Sequence, residues 1–158
     1  MYMEINSMLL DINEMTRSGE KLKCVKRIII HENLNQHFLA VEERNYINKL
    51  KNQDELYYSV HFIVDNSGCV RCVNEDEVSY STNNLDYDSS SISVSYSYDE
   101  KNGKPSKETF KNLKKLILYL MLKYNISKEN VLFHFNVTNT TCPRFFFDNR
   151  VILNEIFT

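Results

Sequence analysis

The sequence predicts a single α/β (α+β) domain: a central mixed β-sheet flanked by helices. Three observations carry that expectation. Ile28-Ile29-Ile30 is a β-branched run suited to a strand buried on both faces. Two stretches repeat their apolar residues at helical spacing, and a hydrophobic hairpin is built around Asn66-Ser67-Gly68. The 158 residues are enough for one sizeable core, with residues 1–23 expected as an arm packed on the domain. Ten Tyr and nine Phe against three Gly and two Pro indicate a folded chain. The net charge of -2 supplies no broad field for a nucleic acid partner.

In chain order, Cys24 to His31 reads as a strand, with His31 at the end where ligands gather in such sheets. A polar loop, Glu32 to Asn35, leads to a helix over about 36–52. Its inner side would carry Ala40, Val41, Arg44, Ile47 and Leu50 or Lys51, and Asn52-Gln53-Asp54 would end it. Tyr57 to Asp65 is aromatic and β-branched, hence a strand, and Cys69 to Val73 returns as its partner. Residues 75–91 read as a long loop. Ile92 to Tyr98 alternates with period two, as a half-buried strand does. Ser106 can cap a helix that runs to about Asn125 on Phe110, Leu113, Ile117, Leu120, Met121 and Tyr124, with Lys111, Lys114 and Lys115 on its solvated side. A strand over 131–135, a loop carrying Cys142 and a short helix over about 148–157 complete the order β-α-β-β-β-α-β-α.

The N-terminus shows no basic start followed by an apolar core, because Glu4, Asp11 and Glu14 interrupt it. The longest apolar run, Leu116 to Leu122, is too short to span a bilayer, so no membrane insertion is expected. Synthesis in a reducing cytoplasm with free thiols follows, and any action outside the cell would need lysis or a route without a signal.

The chemistry concentrates in His134 to Pro143, which sets an imidazole and a thiol eight residues apart. An open zinc site takes three protein donors and leaves one position for water. His134 and Cys142 supply two, and His31 is the best third. On residue types alone, a buried histidine and an unrelated free thiol is the plainer reading. Cys69-Val70-Arg71-Cys72 has metal or redox spacing, but on a strand its two thiols face opposite sides. His37, at a helix start, is expected to be exposed.

Several ordered segments resemble the type-2 N-acetylmuramoyl-L-alanine amidases, whose fold is shared with peptidoglycan recognition proteins. Thr16-Arg17-Ser18-Gly19-Glu20-Lys21-Leu22 is similar to their Ser-Arg-Pro-Gly-x-x-Leu entry segment. Ile28-Ile29-Ile30-His31-Glu32 resembles the strand that ends in their first zinc histidine. Ser59-Val60-His61-Phe62-Ile63-Val64-Asp65 resembles Ser-x-His-Tyr-x-Val-Asp, and Glu77-Val78 with Tyr80 resembles Glu-x-Ala-x-His. Lys123-Tyr124-Asn125 matches the family's Lys-Tyr-Asn, and His134 to Pro143 resembles His-x-Asp-x-Thr-x-Lys-x-Cys-Pro. The resemblance implies a bacterial or prophage zinc hydrolase that cuts the amide between N-acetylmuramic acid and L-alanine in peptidoglycan. His31, His134 and Cys142 would hold Zn2+.

The chain departs from that pattern around the metal. Ser95 stands where many bacterial members carry the general-base Glu of Ile-Gly-Ile-Glu, Thr140 replaces the Lys, and Asn136 replaces the Asp. A serine hydroxyl can orient water but cannot take its proton at ordinary pH. Recognition-protein relatives that share the Ser and Thr use a Tyr, which would fall at Val60. His61 is then a candidate catalytic helper beside Ser95 and Thr140, or a satisfied strand residue. Asn35, Tyr80 and Asn136 are candidates to contact substrate, and Tyr57 and Tyr58 could also reach the cleft. Two functions remain open: a zinc amidase, or an amidase-fold protein that binds muropeptides or another partner without cutting. A shifted chemistry on the same fold is a third.

Overall fold

The computed structural model describes residues 3–53 and 56–158, so Asp54, expected in the turn that closes the first helix, lies outside the described residues. The described strands are β1 (Asn6–Ser7), β2 (Arg27–Glu32), β3 (Phe62–Val64), β4 (Cys69–Arg71), β5 (Ser91–Tyr96) and β6 (Val131–Phe133). They form one sheet in the order β1-β4-β3-β5-β2-β6. The β3–β4 hairpin is antiparallel and the other pairings are parallel. The helices are α1 (Ala40–Lys49), α2 (Leu85–Asp88), α3 (Lys107–Tyr124) and α4 (Arg144–Asp148).

Alternation along the central strands sorts the two layers. Ile28 and Ile30 of β2, Phe62 and Val64 of β3, and Ile92, Val94 and Tyr96 of β5 join one core with Leu113, Leu116, Ile117 and Leu120 of α3. The opposite face packs Ile63 and Val70 against Ala40 and Ile47 of α1. Cys69 joins the first core and Cys72 the second, as the strand spacing predicts, and all four cysteines are free. Ser106 caps α3 by accepting from the Thr109 N–H, and Asn125 ends it in the left-handed conformation (φ 53°).

Six details differ from the expectations set by the sequence. The arm contributes β1 and continues the sheet edge through Met8 N–H to Arg71 O (2.9 Å) and Leu10 N–H to Cys72 O (2.8 Å). The first helix starts at Ala40, because His37 turns left-handed (φ 70°) and Asp65 Oδ2 receives the Ala40 N–H at 2.9 Å. The buried stripe of that helix is Ala40, Glu43 and Ile47, continued by Leu50, while Val41 faces solvent. Residues 75–91 contain α2, and the chain's end is α4 followed by a 3-10 segment, Arg150–Phe157. Lastly, β5 is buried on both sides: on its serine face the Ser93 hydroxyl meets that of Ser79 at 2.5 Å and the Ser95 hydroxyl reaches Asn33 at 2.7 Å.

Candidate metal centre

His31 lies on β2 opposite Ser95 of β5 in the sheet register, on the face away from the α3 core. β6 ends at Phe133, so His134 lies beyond the strand, in a 3-10 turn, His134–Asn136. The Phe135 N–H donates to Cys142 O at 2.9 Å and folds the cysteine loop back onto that turn. As a result, one donor atom from each of His31, His134 and Cys142 lies within 4.8 Å of the others. The two imidazole centroids are 4.6 Å apart.

The burial of these donors fits a cation. His31 is 1% exposed, and neither of its buried ring nitrogens has a hydrogen-bond partner among the described residues. Leaving such a group unpaired typically costs about 1–3 kcal/mol, which coordination would relieve. Burial, and secondarily His134, push the His31 imidazole well below its ordinary pKa, and burial lowers His134. Both rings are thus held neutral, the form that donates to a metal. Burial drives the Cys142 thiol up to about 12, which a bound cation reverses by stabilising the thiolate. The set is two imidazole nitrogens and one sulfur, a donor combination that suits Zn2+ and leaves a fourth position.

The other expected residues have local partners. Ser95 is fully buried and its hydroxyl donates to Asn33 Oδ1 at 2.7 Å. Thr140 Oγ1 accepts the Cys142 N–H (3.2 Å), and Asn136 Oδ1 accepts the Phe133 N–H (2.9 Å), so both shape the loop that carries the donors. The Asn35 amide donates to Glu43 Oε1 at 2.9 Å. Tyr80 donates its hydroxyl to Ser18 Oγ (2.7 Å) and meets the exposed Tyr57 edge to face.

His61 is not brought into the donor cluster. It is fully buried, its Nε2–H donates to Glu77 O (2.7 Å), and its Nδ1 accepts the Ser93 N–H (3.0 Å). The carbonyl can only accept, which fixes the tautomer. Burial lowers its pKa to about 4, against smaller opposing effects of Glu77 O, Glu75 and Glu77. The unfolded chain binds this proton below about pH 6.5 and the native state only near pH 4, so stability is lost as pH falls through that window. We expect His61→Asn to flatten the pH dependence of unfolding between these values, removing roughly 3 kcal/mol of the acid loss. Urea titrations across the window check it, and unchanged slopes would contradict it.

One residue near the site, Glu43, was not singled out from the sequence, whereas Tyr58 was named there among those that could reach the cleft. Glu43, fully buried on α1, accepts the Leu34 N–H (2.6 Å) besides Asn35, and so ties down the loop that follows His31. Its helical spacing with Ala40 and Ile47 was the available signal. Tyr58 is buried with its phenol beside Ser95 and in electrostatic reach of Cys142 and Glu43, and burial first, then Cys142, hold its pKa well above 10.

Residues 21–145 match the sequence profile of the family described as N-acetylmuramoyl-L-alanine amidase. A probable N-acetylmuramoyl-L-alanine amidase of Bacillus licheniformis is 30% identical over 145 residues, covering 84% of this chain and 40% of that protein. The chain spans about two-fifths of the length of the curated relatives it matches. The catalytic domain of XlyA superposes with a TM-score of 0.83 at 19% identity, covering 98% of this chain and 99% of that one. A mutant endolysin from Bacillus subtilis gives 0.82 at 21% identity, covering 99% and 100%. At these identities the two structures establish the fold.

Proposed function

Since the chain belongs to the N-acetylmuramoyl-L-alanine amidase family, we propose that it hydrolyses the amide joining N-acetylmuramic acid to L-alanine in peptidoglycan, at a zinc ion held by His31, His134 and Cys142. The observation that carries this reading is the convergence of three donors from strand β2, the turn after β6 and the cysteine loop, with His31 buried and its ring nitrogens without a partner among the described residues. When bound, zinc supplies a Lewis acid and a water of lowered pKa. The chain's own residues supply the rest. Neutral His31 and His134 present lone pairs, and Phe135 N–H and Thr140 keep Cys142 folded onto them. Tyr58 stays protonated at any working pH, so it can donate a hydrogen bond beside Ser95 but cannot accept a proton.

Digestion of purified peptidoglycan, with and without a zinc chelator, tests the activity. Chelator-sensitive release of peptides with a free L-alanine amino group supports it, and no release above the chelated control would refute it. A second reading, binding of muropeptides without cleavage, is favoured by Ser95, whose hydroxyl is neutral and already committed to Asn33. Saturable binding of a muropeptide with no turnover would select that reading.

A further inference from the structure

We propose that Glu32 is a positioning residue for the metal centre, a clamp that sets Cys142 against His31; this rests on the zinc reading above. Glu32 follows His31 directly on β2, yet its carboxylate reaches across to the chain just past Cys142. Oε1 accepts the Arg144 backbone N–H at 2.7 Å and Oε2 accepts Arg144 Nη2 at 3.2 Å. β6 pairs with β2 only as far as Ile30, so the strand edge at Glu32 is left open to the cysteine loop. One residue thus grips the Cys142-Pro143-Arg144 segment at the first N–H of α4 and at the Arg144 guanidinium.

The surroundings hold the carboxylate in place. Glu32 is 8% exposed, and Gly103 lies so close that a Cβ there would come within 3.3 Å of Oε2. Gly103 also has φ +81°, so a larger residue is unfavourable there on both counts. Arg144 stacks towards the Tyr98 ring, 5.9 Å from its centroid, and its charge offsets that of Glu32 near the sulfur. A donor set drawn from separate segments binds a metal tightly only if those segments are fixed relative to one another. The Phe135 bond fixes Cys142 to His134, and Glu32 fixes it to His31.

Zinc affinity, measured by competition with a chromophoric chelator in the full chain, tests the clamp without relying on turnover. Glu32→Gln, which cannot accept from both Arg144 donors, is expected to weaken zinc by ~10–100-fold, the usual range for outer-shell partners of metal ligands. Arg144→Pro approaches from the other side. It deletes both donors, suits the first position of α4, and suits the extended Pro143 before it (φ -79°, ψ 128°), so a similar loss is expected. In cobalt-loaded protein both variants should show a weakened thiolate-to-metal band, a signature that general loss of stability would not give in the folded fraction. Wild-type affinity and an unchanged band in either folded variant would overturn the clamp alone. Wild-type protein that binds no zinc would overturn both the clamp and the zinc site.

Discussion

Replacing His134 by alanine is expected to weaken zinc by more than about 100-fold, beyond what outer-shell changes cost, and to reduce peptidoglycan hydrolysis to the chelated level. His134 sits in a turn beyond β6 with its ring only partly buried, so its removal leaves both cores intact. His31 is a less clean target, because it is buried in a central strand and truncation there would open a cavity. Chelator competition and a thermal unfolding curve separate the two effects. Retained fold with lost zinc is the expected pair of results, and an alanine variant that keeps both zinc and activity would remove His134 from the donor set.

Introducing a carboxylate by Ser95→Glu is expected to raise turnover by ~10²–10⁴-fold, the usual worth of a positioned general base, with zinc content unchanged. Ser95 pairs with His31 across the parallel ladder, and its side chain shares the face that carries the metal donors. The serine hydroxyl is bonded to Asn33, and the adjacent Tyr58 phenol is held protonated, so neither provides a base. The rate on purified peptidoglycan, followed against pH, checks this: the variant should gain an acidic limb governed by its new carboxylate. A wild-type protein already as fast as the variant would show that a proton acceptor lies elsewhere.

Much of the frame was legible because it depends on local pattern. Ile28-Ile29-Ile30, the Asn66-Ser67-Gly68 hairpin and the α3 stripe each follow from burial and spacing, and each appears in the structure. Elements set by distant partners were not legible. β1 exists because β4 offers an edge, and α1 begins where Asp65 of the hairpin receives its N–H. The serine alternation of β5 read as half-buried because the groups that meet its hydroxyls, Ser79 and Asn33, are 14 and 62 residues away in sequence. At the site, His31, His134 and Cys142 could be named together from residue types and the family resemblance, and they lie within reach of one another. The commitments of Asn35 to Glu43 and of Glu32 to Arg144 depend on tertiary contact, the latter across 112 residues. His61 shows the same limit: a strand histidine beside a metal motif reads as a helper until its two nitrogens are found bonded within the core.

X-ray absorption at the zinc edge of the purified chain tests the proposed metal centre most directly. The expected result is one zinc per chain with one sulfur at about 2.3 Å and two imidazole nitrogens at about 2.0–2.1 Å, the fourth position filled by a light atom. A zinc shell without sulfur, or a chain that takes up no zinc when it is supplied, would contradict it.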